Sequence, residues 1–257
     1  MPFNLWNCEL MADRHPLADL WDIEPGSIYL NHGSFGPSPR PVREAREEWS
    51  RKLERQPMRF FCREMEEELD RATETVARFL KTSSDRMILI DNATVAMNVV
   101  AASVSLAAGD EVLLTDHEYG AVKNIWQARC RPAGAKVTSA ILPFPPTDDQ
   151  TVEAIEKAIT ERTKLIVVSH VTSATACVLP VRAICRMAAK KKVPVCVDGP
   201  HAIMMLDVNL NDPGCDEART VRAHKSRKCH QHDQALPFAV AESCDNKRNR
   251  LIDNTHA

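Results

Sequence analysis

The sequence predicts an α/β fold with a mostly parallel sheet, and three observations support this prediction. Short apolar runs, typical of buried strands, alternate with helical segments from residue 87 onward. The helical segments repeat apolar residues every three or four positions, so each offers one face to a core. Polar clusters rich in turn formers follow the strands, as expected at the carboxyl edge of a parallel sheet.

The amino-terminal part is predicted to be mainly helical. Residues 1–26 form a leading segment with a short helix around residues 16–22, and residues 27–30 are extended. Residues 42–80 are charged and helical, and Pro57 divides them into two helices because proline lacks an amide donor. An apolar stripe on the second helix predicts ordinary core packing; its members are Phe61, Met65, Leu69, Thr73, Val76 and Leu80.

The alternating part of the chain supplies the sheet. Short apolar runs predict strands at residues 87–90, 111–115, 136–142, 165–169 and 193–197. Segments with one apolar face predict helices at residues 95–106, 120–131, 151–160 and 181–191. Gly109 ends the first of these helices, since glycine favours the residue that follows a helix. A cationic run at the end of the last helix suits the helix dipole.

Composition excludes several classes of protein. The 257 residues carry 33 Lys and Arg against 35 Asp and Glu, a net charge of -2, so nothing indicates a nucleic-acid partner. The charged first twenty residues argue against a signal peptide, and no apolar run approaches the ~20 residues of a membrane helix. The 9 cysteines follow no CxxC pairing, which predicts reduced thiols and a cytoplasmic protein without a membrane partner.

Residues 212–257 break the alternating pattern. They contain few apolar residues, and no glycine follows Gly214. Such a segment buries too little apolar surface to offset the entropy of ordering it, so we predict a divergent, disordered tail. Its Cys229, His230 and His232 match no zinc-binding spacing, and we predict no metal site. The predicted organisation has three parts: residues 1–26, a large domain at residues 27–211, and the tail at residues 212–257.

Three strand ends carry side chains suited to a ligand. Asn92, Ala93 and Thr94 open a helix, where free amides and the Thr94 hydroxyl would bind an anion; alternatively, Asn92 or Thr94 only caps the helix. The Asp198 carboxylate needs a partner, either a protonated cofactor ring or the amides of the following turn. Tyr119 either stacks on a flat ring or only lines the sheet. No GxGxxG follows a strand, which argues against a dinucleotide.

Histidines add a weaker signal at the same strand ends. His170 and His201 could carry protons or contact a ring, although a single histidine is more often a structural side chain. His117 and Glu118 adjoin Tyr119 but need not face the same way. These residues alone predict no specific chemistry.

The order and spacing of six motifs carry a resemblance to a known family. The motifs are residues 29–37, residues 92–94 with Asn98, and residues 109–113, 116–121, 169–173 and 197–201. Together they resemble the class V aminotransferase family of fold-type I pyridoxal-phosphate enzymes, in particular its isopenicillin N epimerase-like members, with cysteine desulfurases as cousins. The resemblance covers roughly residues 27–216. It implies a three-layer sandwich around a mostly parallel sheet, the large domain of these transferases, here incomplete.

The resemblance also implies which residues would hold pyridoxal 5′-phosphate. Ala93 and Thr94 would bind its phosphate, and Tyr119 would stack on its pyridine ring. Asp198 would pair with the protonated ring nitrogen, which keeps the ring able to accept electrons from the substrate α-carbon.

Four further positions follow from the same resemblance. Ser173 and His201 match positions near the phenolic oxygen of the ring. Asn31 and His32 match the substrate end of the pocket, and the substrate would be an amino acid. Because pockets in this family take residues from both subunits, the resemblance also implies a homodimer.

The sequence departs from the family after Asp216. The family continues with an apolar, aromatic strand that leads to a His-Lys pair, whose lysine forms the Schiff base, but residues 217–223 are neither apolar nor aromatic. His224 and Lys225 lie about one residue out of register, so Lys225 is either the counterpart or, as we favour, a coincidence. We therefore expect a carboxyl-terminally truncated member without the small domain, arising from a shifted reading frame, an altered splice or a truncated gene model.

Two functions of different classes follow. The first is a pyridoxal-phosphate enzyme acting on an amino acid by epimerase, aminotransferase, C–S lyase or desulfurase chemistry, which loss of the Schiff-base lysine would inactivate. The second is a non-catalytic remnant or interaction protein that keeps part of the cofactor-binding domain. A nicotinamide-dependent oxidoreductase is disfavoured because the glycine-rich phosphate loop is missing.

Overall fold

The computed structural model describes residues 17–30 and 35–211. The chain divides into two units, Met1–Leu69 and Asp70–Ala257. The first unit is helical within its described residues, and the second contains the sheet. The candidate site residues that the structure describes lie in the second unit.

Helices dominate the described part of the first unit. Helix α1, Arg40–Arg55, has a proline in its first turn, where the missing amide costs little. It ends before Pro57, as predicted. A short helical turn, Pro57–Arg59, and a π-helix, Phe60–Glu64, then lead into helix α2, Met65–Phe79.

The apolar stripe around α2 is buried only near its carboxyl end. Phe61 and Leu69 are 49% and 48% exposed in the chain, whereas Leu80 is 2% exposed and packs with Ala77 and Met87. The prediction of core packing along the whole stripe is therefore wrong for its first half. The physical reason is that the first unit buries little apolar surface, since α1 contributes no buried residue.

Within the described residues, the second unit contains a four-stranded parallel sheet with helices between its strands. In chain order the elements are α3 (Ala93–Ser103), β1 (Glu111–Thr115), α4 (Gly120–Ala133), β2 (Lys136–Ala140), α5 (Asp148–Ala158), β3 (Thr163–Ser169), α6 (Val181–Lys190) and β4 (Val195–Asp198). The strand order is β2-β1-β3-β4, and each neighbouring pair is parallel. The predicted α/β fold with a parallel sheet is confirmed.

Helices cover both faces of the sheet and make three layers. On one face, Leu113, Ile166 and Val168 pack with α5 and α6. On the other face, Val112 and Val167 pack with α3 and α4. Because side chains alternate along a strand, neighbouring residues of β1 and β3 enter opposite cores. Strands covered on both faces read as continuous apolar runs, which explains why the sequence predicts them well.

Two predicted elements are wrong. Residues 87–90, predicted as the first strand, follow the 3-10 turn Ser84–Arg86 and pair with no described strand. Met87 instead packs in a small cluster at the end of α2. Four apolar residues satisfy the strand pattern, but only a hydrogen-bonding neighbour makes a strand. The short helix predicted around residues 16–22 is a single 3-10 turn, Ala18–Leu20.

The strand order creates a switch point at the carboxyl edge of the sheet. From β1 the chain crosses to β2 on one side, and from β3 it crosses to β4 on the other, so the connections diverge between β1 and β3. Open parallel sheets bind their ligands at such a point. The last residues of β1, β3 and β4 at this edge are Thr115, Ser169 and Asp198.

Within the described residues, the chain shows neither a membrane-spanning helix nor a metal-binding cluster. There, no helix combines the length and apolarity needed to cross a bilayer. The same residues contain no cluster of three or more His, Cys, Asp or Glu arranged to hold a metal ion. The predicted tail at residues 212–257, with its Cys229, His230 and His232, lies outside the described part of the chain.

Candidate functional site

The structure places the central predicted site residues at helix starts and at a strand end. Ala93 and Thr94 open α3, and Tyr119 immediately precedes α4. Asp198 is the last residue of β4, and His201 lies in the turn that follows. Tyr119, Asp198 and His201 follow β1 or β4 and so lie at the carboxyl edge that contains the switch point. Helix α3 runs alongside α4 in the same direction, since Met97 contacts Trp126 and Ala101 contacts Arg129, so Ala93 and Thr94 lie toward the same edge.

The structure gives little or no support for the roles of the other predicted site residues. Ser173 is exposed in the loop after β3. Asn31, His32 and Lys225 lie outside the described residues, so their predicted roles stay predictions.

The start of α3 is capped and still has free amides. The side-chain oxygen of Asn92 accepts a hydrogen bond from the amide of Val95 at 2.9 Å, so Asn92 is the cap and Thr94 is not. No described residue accepts a hydrogen bond from the amides of Ala93 and Thr94. These two donors, the Thr94 hydroxyl and the positive end of the helix dipole are therefore available to a phosphate group.

The Asp198 carboxylate lacks a donor within the described part of the chain. The side chain is partly buried, and no described group donates a hydrogen bond to its carboxylate oxygens. The alternative that Asp198 caps the following turn is thus not observed. Burial, and then the nearby Glu118 carboxylate, raise the pKa of Asp198 to about 6. A protonated pyridine nitrogen would supply both a donor and a positive charge, so this residue fits the predicted cofactor.

Tyr119 is free to contact a ligand. It is 53% exposed and belongs to neither apolar core of the second unit. The alternative that Tyr119 only lines the sheet is therefore not supported. A half-exposed aromatic ring at the carboxyl edge is suited to stacking on a flat heterocycle.

Glu118, to which the sequence pattern assigns no role, is buried at the same edge of the sheet. It is 5% exposed, and one carboxylate oxygen accepts hydrogen bonds from the Ser169 amide at 2.9 Å and from the Thr115 hydroxyl at 2.8 Å. The other oxygen accepts from the Ser169 hydroxyl at 2.6 Å. The Glu118 side chain thus joins the ends of β1 and β3 across the switch point. Desolvation raises its pKa, although these bonds and Lys123 act in the opposite direction.

His117 points elsewhere than Glu118. Its Nδ1 lies 3.2 Å from the Thr175 hydroxyl oxygen, and its ring stacks on Phe144 with centroids 6.0 Å apart. The Thr175 hydroxyl lies 2.7 Å from that of Thr172, so this group braces the loop that carries Ser173. Three consecutive polar residues, 117–119, therefore have three different environments, and no periodicity in the sequence indicates which one is buried.

His170 adjoins the site through its backbone. Its amide donates a hydrogen bond to the carbonyl of Asp198 at 2.9 Å, which joins the ends of β3 and β4. Burial lowers the pKa of the His170 side chain, because desolvation disfavours the charged form of the ring. This favours a structural role for His170 over a positively charged one.

A comparison with known protein families decides the assignment. The family model described as Aminotransferase class-V matches residues 28–226. The chain belongs to the class V aminotransferase family. The isopenicillin N epimerase of Amycolatopsis lactamdurans is 37% identical to this chain over 198 residues, which cover 76% of this chain and 50% of the relative.

Two further comparisons extend this result. The probable chloroplastic L-cysteine desulfhydrase of Arabidopsis thaliana is 28% identical over 209 residues, covering 75% of this chain and 44% of the relative. A solved mutant of C-DES, with glycine covalently linked to its PLP cofactor, has a TM-score of 0.68 at 22% identity and covers 77% of this chain and 52% of that one. The similarity to C-DES is a similarity of fold. The chain spans about half the length of the curated relatives it matches.

Family membership confirms three predictions made from the motifs. The family is the one that the motifs resemble, and the fold is that of its pyridoxal-phosphate enzymes. Pyridoxal 5′-phosphate, the predicted cofactor, is the cofactor of this family. The amides of Ala93 and Thr94 and the Asp198 carboxylate have no hydrogen-bond partner among residues 17–30 and 35–211, and they fit its phosphate and its ring nitrogen.

Proposed function

We propose that this chain binds pyridoxal 5′-phosphate at the carboxyl edge of its sheet for chemistry on an amino acid. The observation that carries the proposal is the Asp198 carboxylate, which is partly buried and has no hydrogen-bond donor among the described residues. Burying an ionised carboxylate without a partner is costly, and a cationic ring nitrogen removes that cost. Membership of the class V aminotransferase family supports the same ligand.

Each residue has a separate task in this proposal. Asp198 holds a proton at the ring nitrogen, and Tyr119 covers one ring face and excludes water from it. The amides of Ala93 and Thr94, with the Thr94 hydroxyl, bind the phosphate. When bound, the cofactor supplies an electron sink that stabilises negative charge on the substrate α-carbon.

Four other residues complete the proposal on the basis of family motifs. Ser173 and His201 would contact the phenolic oxygen of the ring. Asn31 and His32 would contact the amino-acid substrate. Epimerisation and C–S bond cleavage are the reactions proposed, because the named relatives are an epimerase and a desulfhydrase. A homodimer and a cytoplasmic location are also proposed.

A second candidate function rests on the sequence around Lys225. Residues 217–223 lack the apolar, aromatic character of the family, and Lys225 is about one residue out of register. The second candidate is therefore a protein that binds the cofactor without covalent attachment and without turnover. The two candidates share the ring and phosphate contacts and differ only in whether a lysine bonds to the cofactor.

One experiment tests both candidates. The purified full chain is titrated with pyridoxal 5′-phosphate while absorbance and melting temperature are followed, and then reduced with borohydride and digested for peptide mass spectrometry. Binding with a modified lysine supports the enzyme, and binding without one supports the second candidate. Absence of both binding and thermal stabilisation contradicts the two together.

The matched variants are Asp198→Asn and Glu161→Gln. Loss of a charge-assisted hydrogen bond costs about 1.5–3 kcal/mol, so Asp198→Asn should weaken binding by roughly 10-fold to 100-fold. Glu161 is exposed in the turn before β3, at the opposite edge of the sheet. Its variant also removes one negative charge and should leave the affinity unchanged.

A further inference from the structure

Glu118 and Asp198 place two carboxylates at the same edge of the sheet. Glu118 lies in the turn between β1 and α4, and Asp198 ends β4. Between them runs β3, whose last residue, Ser169, is the register partner of Asp198. The Ser169 amide and hydroxyl both donate to Glu118, so Glu118 holds the residue that pairs with Asp198.

The two carboxylates differ in how their oxygens are satisfied. The Glu118 oxygens accept three hydrogen bonds, from Ser169 and Thr115, which fix the side chain in one position. The Asp198 oxygens accept none from described residues. Glu118 is therefore a fixed group, while Asp198 is the carboxylate that remains available to a ligand.

The groups that face Glu118 and Asp198 do not neutralise the negative charge of these two carboxylates. Lys123 of α4 attracts Glu118, but its ammonium donates its hydrogen bond to the carbonyl of Asp116 at 2.7 Å. The Cys196 thiol of β4 is buried, and burial, Asp198 and Glu118 together raise its pKa to about 12, so it stays uncharged. A cationic ligand placed at Asp198 would meet a concentration of negative charge.

We propose that Glu118 is a positioning residue for the cofactor ring: it anchors Ser169, the strand neighbour of Asp198, and adds a second negative charge that keeps the ring nitrogen protonated. Glu118 acts through Ser169 and Asp198 and does not itself touch the ring. The inference rests on the proposed function, because it requires the cofactor ring at Asp198. A nearby anion raises the proton affinity of any basic nitrogen, which gives the proposal a measurable consequence.

The test variant is Glu118→Gln, which removes the charge and keeps the shape. Its amide can still accept from Ser169 and Thr115 and can donate to the Ser169 hydroxyl. In the chain without cofactor, carboxyl ¹³C NMR should show the Asp198 midpoint fall by ~0.5 pH unit or more in the variant. With ¹⁵N-labelled pyridoxamine 5′-phosphate, a probe that needs no lysine, the ring nitrogen should lose its proton at a lower pH in the variant than in the wild type.

The matched control is Glu111→Gln. Glu111 is also 5% exposed and lies at the opposite end of β1, where it accepts a hydrogen bond from the Thr160 hydroxyl at 2.6 Å. Its variant removes a charge from a residue of equal exposure, although this one is paired with Lys136 at 3.0 Å, and it should leave both midpoints unchanged. A shift of equal size in the control would overturn the proposal.

Two outcomes separate this inference from the proposed function. In the wild type, the Glu118 and Asp198 carboxyl signals should titrate together in two coupled steps, a measurement that does not depend on a variant folding. If the wild type binds the probe but Asp198 titrates in one step, with the same midpoint in Glu118→Gln, the inference is wrong and the proposed function stands. If the carboxyls are coupled but the wild type binds neither pyridoxamine 5′-phosphate nor pyridoxal 5′-phosphate, the proposed function fails and the inference falls with it.

Discussion

Burial of the Asp198 side chain lowers the free energy of unfolding, whereas its charge is proposed to bind the cofactor ring. Its pKa is raised to about 6 in the folded chain, first by burial and then by Glu118, whereas an unfolded aspartate has a pKa near ~3.9. Between about pH 4 and about pH 6 the folded chain binds more protons than the unfolded chain. The free energy of unfolding therefore falls as the pH rises through this window, and the loss is complete above it.

Replacing this charge should stabilise the chain without cofactor. Asp198→Asn is expected to raise the free energy of unfolding at pH 7.5 by about 1–2 kcal/mol, because the cost of a buried charge disappears. At pH 4 the gain should be small, since the wild-type carboxyl is protonated in the fold. Urea unfolding at the two pH values measures the difference. A variant less stable than the wild type at pH 7.5 would contradict this account.

At the scale of elements, α3 and α5 allow a matched comparison, because a side chain caps the start of each helix. Asn92 caps α3 at the amide of Val95, and Thr147 caps α5 at the amide of Gln150, 3.4 Å away. Asn92→Ala and Thr147→Ala should each cost about 1 kcal/mol in urea unfolding. Only Asn92→Ala should also weaken pyridoxal 5′-phosphate binding in an absorbance titration, because only α3 offers its first amides to the proposed phosphate site. Equal weakening by Thr147→Ala would place the phosphate elsewhere.

The connection between α3 and β1 depends on a glycine. Gly109 has a φ of +85°, and a Cβ there would meet the guanidinium of Arg162. Gly109→Ala should therefore lower the free energy of unfolding by about 1–2 kcal/mol, chiefly through backbone strain. The control is Gly120→Ala at the start of α4, where a Cβ meets nothing within 4 Å, and it should be neutral or slightly stabilising. Equal effects of the two changes in urea unfolding would refute the strain argument.

The sequence predicts elements better than it predicts side-chain directions. The bounds of β1, residues 111–115, follow from an apolar run between Gly109 and the polar turn after Thr115, and the structure has the same bounds. Residues 87–90 form a similar apolar run, but no described strand pairs with them. A local sequence pattern cannot show which segments will be neighbours in the fold. The burial of Glu118 depends on Ser169, which lies 51 residues away in the chain, so spacing could not reveal it.

At the scale of the whole molecule, buried thiols lie on both sides of the sheet. Cys185 packs in the core with α5 and α6, and Cys130 and Cys196 pack in the core with α3 and α4. Cys62 is exposed in the first unit. The alkylation rates of these thiols therefore measure the accessibility of the surface and of each of the two cores separately.

Alkylation followed by peptide mass spectrometry should distinguish these cysteines. In the native chain Cys62 should react at the rate of an exposed thiol. The thiols of Cys130, Cys185 and Cys196 should react more slowly by several orders of magnitude and at similar rates, because each needs a cooperative opening of the sheet and its helices. Rapid reaction of Cys185 alone would show that the two cores open independently.

The turn between β1 and α4 connects the ends of three strands. Asp116 accepts a hydrogen bond from the amide of Leu142, just past β2, at 3.0 Å, and Glu118 accepts from the amide of Ser169 at the end of β3. Fraying of the end of β2 or of β3 therefore requires a hydrogen bond to this turn to break. Amide hydrogen exchange at Leu142 and Ser169 is therefore expected to depend on this one turn, whose last residue before α4 is Tyr119.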